Sequence, residues 1–249
     1  MRIVAIVQAR MGSTRYPGKS LHDLDGTTLM ERVLARVSAA ARIDEVVVAT
    51  TTQPGDDAIE AVARAAGYAV VRGSVEDVLD RYVAAARAHR ADVVVRNTAD
   101  EPFLDPAIIH EAIAAFEDAD PPADYCSNNL RPVYPEGLDT EVISIEALER
   151  AHRDATLASD REHVTPFVWR QPDRFRLVAA GGDPVHPEWR LTVDYPQDLV
   201  FARAVYEAIG GSLFGLPEIV ALLESRPDLL AMCPAVPRRE GYERSREAE

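Results

Sequence analysis

Apolar residues fill every position from Ile3 to Val7, and the run then gives way to a polar, glycine-punctuated stretch, Gln8 to Lys19. A run this short and this uniform predicts a strand buried on both faces. Thr27 or Thr28 stands as an N-cap before Leu29-Met30-Glu31-Arg32-Val33-Leu34, which predicts the first helix. Ile43 to Thr51 predicts a second strand, Asp56 to Ala66 a helix closed by Gly67, and Tyr68 to Val71 a third strand. Val75 to His89 carries its apolar residues at helical spacing, and Asp92 to Arg96 reads as a fourth strand. Buried strands alternating with helices predict a parallel sheet of α/β class.

The alternation lapses between about Pro121 and Thr140, an irregular excursion expected to cover a site. It resumes with a strand at Glu141 to Ile145, helices around Ile145 to Arg153 and Asp160 to Arg170, strands near Phe175 to Ala179 and Trp189 to Val193, and a helix from Pro196 to Ile209. The expected division is one domain over residues 1–211 and a helical C-terminal tail over residues 212–249. The last stretch, Pro237 to Glu249, is dense in charge and is expected to be mobile.

With 249 residues and 47% hydrophobic content, the chain can bury one substantial core. Lys and Arg total 27 against 41 for Asp and Glu, a net charge of −14, so nucleic acid is not an expected partner. Cys126 and Cys233 are far apart and lack the spacing of a zinc site or a disulfide framework. The apolar start is too short for a signal peptide, and no stretch is long enough to span a bilayer, so a cytoplasmic protein without a membrane partner is expected.

Against that acidic background, Arg10, Arg15 and Lys19 fall within ten residues at the carboxyl end of the first strand. Guanidinium forks and a lysine point charge at such a place suit the oxygens of a triphosphate. Gly12 and Gly18-Lys19-Ser20 nearly spell a P-loop, but the spacing is one residue too long, and Leu21 to Gly26 reads as a turn where a P-loop enters its helix. Pro17 stiffens the segment into a wider lariat. A dehydrogenase is excluded by the missing G-x-G-x-x-G, and no nucleophile or zinc signature supports hydrolase chemistry.

Asp100 follows the fourth strand and Asp194 follows the later one at Leu191-Thr192-Val193, so two carboxylates can converge at strand ends. Such hard oxygens suit Mg²⁺, which takes a couple of carboxylates together with water and phosphate oxygens. Each aspartate also has a plain use as a turn or N-cap residue before proline, and His163 can be an ordinary helix-surface histidine.

Taken in order, these segments resemble the cytidylyltransferases that activate acidic sugars, most of all the spore-coat polysaccharide branch. The resemblance rests on Gln8 to Lys19, on Arg72-Gly73 with Asp77 to Arg81, on Asn97 to Pro102, on Tyr134 to Asp139, on Arg161 to Pro166 and on Leu191 to Leu199. It implies a nucleotide-diphospho-sugar transferase fold, a Rossmann-like, GT-A-type three-layer sandwich with a mostly parallel mixed sheet and a protruding β element that commonly supports a homodimer. It also implies transfer of CMP from CTP to an acidic sugar, a nonulosonate or related compound, with pyrophosphate leaving and Mg²⁺ bridging phosphate oxygens.

Carried over by position, the catalytic group would be Arg10, Lys19, Asp100 and Asp194, with Asp100 and Asp194 holding the metal. Ala9, Arg10, Gly12, Ser13, Arg15, Lys19, Arg72 and Gly73 would contact the nucleotide. Tyr134, Glu136, Gly137, Asp139 and His163 lie in the segments facing the sugar, without assigned roles, and Glu101 leaves the acceptor open. Two alternatives stand beside this reading: a glycosyltransferase or other sugar nucleotidyltransferase on the same fold, and a non-catalytic nucleotide-binding protein of a polysaccharide pathway.

Overall fold

In a computed structural model, described for residues 1–233, 236, 238–247 and 249, the apolar runs assemble into a seven-stranded mixed sheet. The nine strands are β1 (Ile3–Gln8), β2 (Asp23–Leu24), β3 (Thr27–Thr28), β4 (Glu45–Thr51), β5 (Ala69–Gly73), β6 (Val93–Thr98), β7 (Tyr125–Ser127), β8 (Glu141–Ser144) and β9 (Leu177–Ala179). The order across the large sheet is β5-β4-β1-β6-β8-β7-β9, with β2 and β3 forming a separate hairpin. Only β8 runs against its neighbours β6 and β7. Along β1, Ile3, Ala5 and Val7 enter one buried layer while Val4 and Ile6 enter the other. That is the two-faced burial expected of an uninterrupted apolar run.

Helices α1 (Leu29–Ser38), α2 (Asp57–Ala65), α3 (Val78–Ala88), α4 (Pro106–Glu117) and α5 (Ile145–Asp154) pack on the sheet's two faces. Thr28 caps α1 in a full capping box with Glu31, as its sequence position predicts. Helix α4 has no counterpart in the sequence reading, although Asp105 caps it and Pro106 occupies its first turn. The single helix expected over Asp160 to Arg170 divides into α6 (Ala158–His163) and α7 (Pro166–Trp169). Pro166 brings no N–H to continue a helix, and Val164 between them sits at φ +72°.

The strand expected at Trp189 to Val193 reduces to a single bridge between Glu136 and Arg190. Helices α8 (Pro196–Ile209), α9 (Leu216–Ser225) and α10 (Pro227–Leu230) enclose a third apolar cluster with Phe103, Leu191 and Val193. The excursion at 121–140 does not protrude: Tyr125–Ser127 joins the sheet, and Val133, Pro135, Gly137 and Leu138 are buried. The end of the chain forms α11 (Glu240–Glu247), packed against α6 with Tyr242 buried, where a mobile stretch is expected from its charge. Pro237 and Ala248, part of that expectation, lie outside the described residues. Among the described residues no helix is long and apolar enough to cross a membrane.

Candidate active site

Gln8 and Thr98, the last residues of β1 and β6, are register partners at the place where the strand order turns, β4 and β5 lying to one side of β1 and β6 to the other. Open α/β sheets form their binding crevice at such a point. The loop leaving β1 is closed at its neck by Gly18 N–H donating to Met11 O at 2.9 Å, and Met11 N–H is fixed to Asp56 Oδ1 at 2.7 Å. The loop is thus a lariat and not a P-loop. Beneath it lies a cleft of about 360 Å³, to which Ala9, Arg10, Ser13, Arg15, Lys19, Asp100 and Asp194 all contribute.

At the floor of the cleft Lys19 Nζ donates to Asp100 Oδ2 at 2.6 Å, to Asp194 Oδ1 at 2.9 Å and to Val193 O at 2.8 Å. Arg15 adds a 2.6 Å bond to Asp194 Oδ1, and Arg190 a 3.0 Å bond to Asp194 Oδ2. Burial alone would drive Asp194 toward its neutral form, but Lys19, Arg15 and Arg190 outweigh it and hold the carboxyl well below the usual carboxylate range. Burial likewise opposes the charge on Lys19, and Asp100 with Asp194 overcomes it, raising the ammonium above its ordinary value. The Asp194 carboxylate thus stays ionised beside one buried ammonium.

Neither aspartate is occupied as a cap. The N–H groups of Asp194 and Tyr195 go to Asp198 Oδ2 at 2.7 and 2.9 Å, and α4 is capped by Asp105. Both carboxylates are therefore turned to the cleft. Two hard oxygen donors from the protein, with room for phosphate oxygens, fit Mg²⁺. Among the described residues no group of three or more His, Cys, Asp or Glu could hold a metal without such help.

Three of the expected nucleotide contacts fall outside this lining: Gly12, Arg72 and Gly73. Gly12 is exposed on the loop. Arg72 is tied to the α2 side by Asp57 at 2.6 Å, Glu60 at 2.9 Å and Thr51 O at 2.7 Å. Gly73 lies under Arg81, whose Cγ would stand 2.7 Å from a Cβ there. Arg81 itself reaches the cleft, 2% exposed, with Nη1 on Ser74 O at 2.7 Å and Nε without a partner among the described residues. Burial lowers its affinity for the proton, Tyr82 partly offsets this, and the neighbouring charge of Arg10 adds to it. Arg81 stands in the Asp77 to Arg81 segment, which by itself assigns it no role. Its place four residues past the helix cap Asp77 is the signal that points it inward.

A second cavity of about 130 Å³ adjoins the first and shares Arg96, Thr98 and His163 with it. Glu101, Asp139 and Glu141 bring carboxyl groups to its wall, and Trp169, Arg239 and Tyr242 close it. Burial raises Glu101 well above the carboxylate range, with Asp100 and Asp139 adding repulsion. It pushes Asp139 up to about 6 even though Arg238 Nη2 lies 3.0 Å away. Glu141 is ion-paired with Arg96 and accepts from Tyr125, which keeps it charged against the effect of burial. His163 is driven down to about 4, chiefly by burial, so its imidazole is neutral near pH 7. Of the other residues expected here, Tyr134 turns to Glu111 at 2.7 Å, while Glu136 accepts from Arg239 N–H at 3.1 Å.

A crevice at the turning point of a mostly parallel sheet, with cations above and paired carboxylates below, defines an α/β nucleotidyltransferase. The chain belongs to the cytidylyltransferase family, whose model matches residues 4–208. It is 34% identical over 234 residues to the spore coat polysaccharide biosynthesis protein SpsF of Bacillus subtilis, covering 91% of this chain and 95% of that one. A 3-deoxy-manno-octulosonate cytidylyltransferase of Trichlorobacter lovleyi is 38% identical over 117 residues, 47% of this chain and 45% of that one. A cytidylyltransferase structure from Leptospira borgpetersenii superposes with a TM-score of 0.88 at 28% identity, covering 92% of this chain and 97% of that one. The fold alone is shared with a CMP:2-keto-3-deoxy-manno-octonic acid synthetase complexed with CTP, at a TM-score of 0.62 and 20% identity over 84% of this chain and 99% of that one.

Proposed function

We propose that this chain transfers CMP from CTP to a hydroxyl of an acidic sugar, a nonulosonate or related compound, for surface polysaccharide or glycan synthesis. The acceptor hydroxyl oxygen forms a bond to the α-phosphorus, the bond from that phosphorus to the bridging oxygen breaks, pyrophosphate leaves with that bond's electron pair, and the hydroxyl proton passes to solvent. The observation that supports the reading is the meeting of the two cavities at Arg96, Thr98 and His163, a second chamber beside the cationic cleft. An in-line displacement at phosphorus needs positioning and charge neutralisation, and it needs no covalent nucleophile.

Arg10, Arg15, Lys19 and Arg81 hold the triphosphate, and Ala9 and Ser13 line the nucleotide's path. Asp100 and Asp194 would hold Mg²⁺, which when bound supplies neutralising charge to the phosphate oxygens. CTP as donor implies a cytoplasmic setting, and a homodimer is part of the reading, to be checked by sedimentation. The decisive measurement is pyrophosphate release with Mg²⁺, each nucleoside triphosphate in turn and a panel of acidic sugars. Release confined to CTP with an acidic sugar is the expected result. Turnover of a preformed nucleotide sugar without pyrophosphate would replace the reading with glycosyl transfer, and nucleotide binding without turnover would leave a pathway binding protein.

A further inference from the structure

Two of the three arginines at or beside the acceptor cavity are already committed to carboxylates. Arg96 is committed to Glu141, and Arg238 to Asp139 at 3.0 Å and Tyr134 O at 3.0 Å. Arg239 lines the same cavity with no ion-pair partner on its guanidinium among the described residues. Its Nη2 donates to Asn129 O at 2.6 Å, and its guanidinium carbon stands over the Trp169 ring, 5.0 Å from its centre. No protein acceptor among the described residues takes Nε or Nη1.

The backbone holds this arrangement at a cost. Arg239 sits at φ +61°, in the left-handed region that side-chain-bearing residues adopt rarely. It is fixed there by its own N–H to Glu136 Oε1 at 3.1 Å and by Glu243 N–H donating to its carbonyl at 3.1 Å as α11 begins. Residue 239 also lies beyond residues 4–208, the span matched by the family.

We infer that Arg239 determines acceptor specificity by receiving the carboxylate of the acidic sugar on its aromatic-backed fork, so that the C-terminal segment completes the acceptor site. A planar guanidinium matches a carboxylate through two parallel hydrogen bonds, a match that lysine offers only in charge. This inference rests on the acidic-sugar reading.

The test compares full-length wild type with Arg239→Gln and Arg239→Lys in pyrophosphate release, using 3-deoxy-octulosonate and nonulosonate acceptors and the methyl ester of whichever one reacts. The expected result is a KM for the acidic acceptor raised about 10- to 100-fold in Arg239→Gln. Arg239→Lys should recover part of that loss, and the KM for CTP and the melting temperature should stay near wild type. With the methyl ester, Arg239→Gln and wild type should perform alike. An unchanged acceptor KM in Arg239→Gln, or an equal loss with the ester, would overturn the role of Arg239 while leaving the proposed reaction intact. Wild-type turnover of no acidic sugar would instead overturn the acceptor class itself, and the inference with it.

Discussion

Lys19 holds two carboxylates where a metal ion is expected to sit, with Nζ at 2.6 and 2.9 Å from Asp100 and Asp194. Removing it takes from Asp100 its ion-pair partner while Asp194 keeps Arg15 and Arg190, a loss that costs stability and that an arriving cation can offset. Lys19→Ala should therefore melt below wild type and regain more of its melting temperature from added Mg²⁺ than wild type gains. Equal Mg²⁺ responses would separate these aspartates from metal binding. Turnover in Lys19→Ala should fall about 100-fold or more, the usual effect of deleting one preorganised positive group from a transition-state site. Asp194→Asn should lose comparable activity with the fold retained, because its backbone is held by Asp198 and not by its own side chain. A different signal belongs to Asp139, whose carboxyl is pushed from 3.8 up to about 6, chiefly by burial. Between those values the folded chain keeps a proton that the unfolded chain has released. The associated stability is full below the lower value and is lost as pH rises through the upper one. Asp139→Asn should flatten that decline in urea midpoints measured across the window, and parallel profiles for the two proteins would discount the group.

Among the elements, the excursion at 121–140 shows how an irregular segment becomes a wall. Asn128 Nδ2 donates to Leu138 O at 2.8 Å and Thr140 N–H donates to Asn128 Oδ1 at 2.9 Å, which folds the segment back on itself. Gly137 stands in this fold at φ +101°, where an added Cβ would lie 2.8 Å from the carbonyl carbon of Leu191. Backbone cannot yield as a side-chain tip can. Gly137→Ala should thus cost about 2 kcal/mol or more in chemical denaturation, and a change within experimental scatter would show that the 134–139 segment is free to shift. The strands β1, β4 and β6 are legible in the sequence because burial on both faces leaves uniform β-branched runs. Trp189 to Val193 carries a similar composition, yet apart from the bridge at Arg190 it pairs with no strand, and its apolar side chains serve the third cluster instead. Composition reports burial there and not pairing. Helix α4 escapes notice for the complementary reason: it is apolar nearly all round, so its period is faint, and its cap Asp105 is legible only once the helix is suspected.

At the scale of the whole molecule, the loop cations of the cleft are local and the lining of the second cavity is not. Arg10, Arg15 and Lys19 share one loop with recognisable spacing, so their convergence is readable from the chain; Asp100 follows the end of β6, whereas the strand expected before Asp194 is only a bridge at Arg190. The second cavity draws on β6, β8, the break between α6 and α7, and the tail, so no window of sequence contains it. The charge density of the tail reads as solvation. In the fold part of that charge is partnered, Arg238 by Asp139 and Glu240 by Arg15, and Tyr242 is buried with its ring 5.4 Å from Trp169 and 5.5 Å from His163. Helix α11 is only 8 residues long, too short to persist without that packing. Its amides should consequently exchange with solvent far faster than those of β1, β4 and β6, since local opening follows contact density and not global stability. If α11 forms part of the acceptor wall, saturating CTP and acidic sugar with Ca²⁺ in place of Mg²⁺ to slow turnover should protect residues 240–247 beyond what CTP alone achieves. Exchange in α11 that ignores the sugar, while residues 163–169 become protected, would assign acceptor binding to the α6 and α7 side alone and detach the tail from specificity.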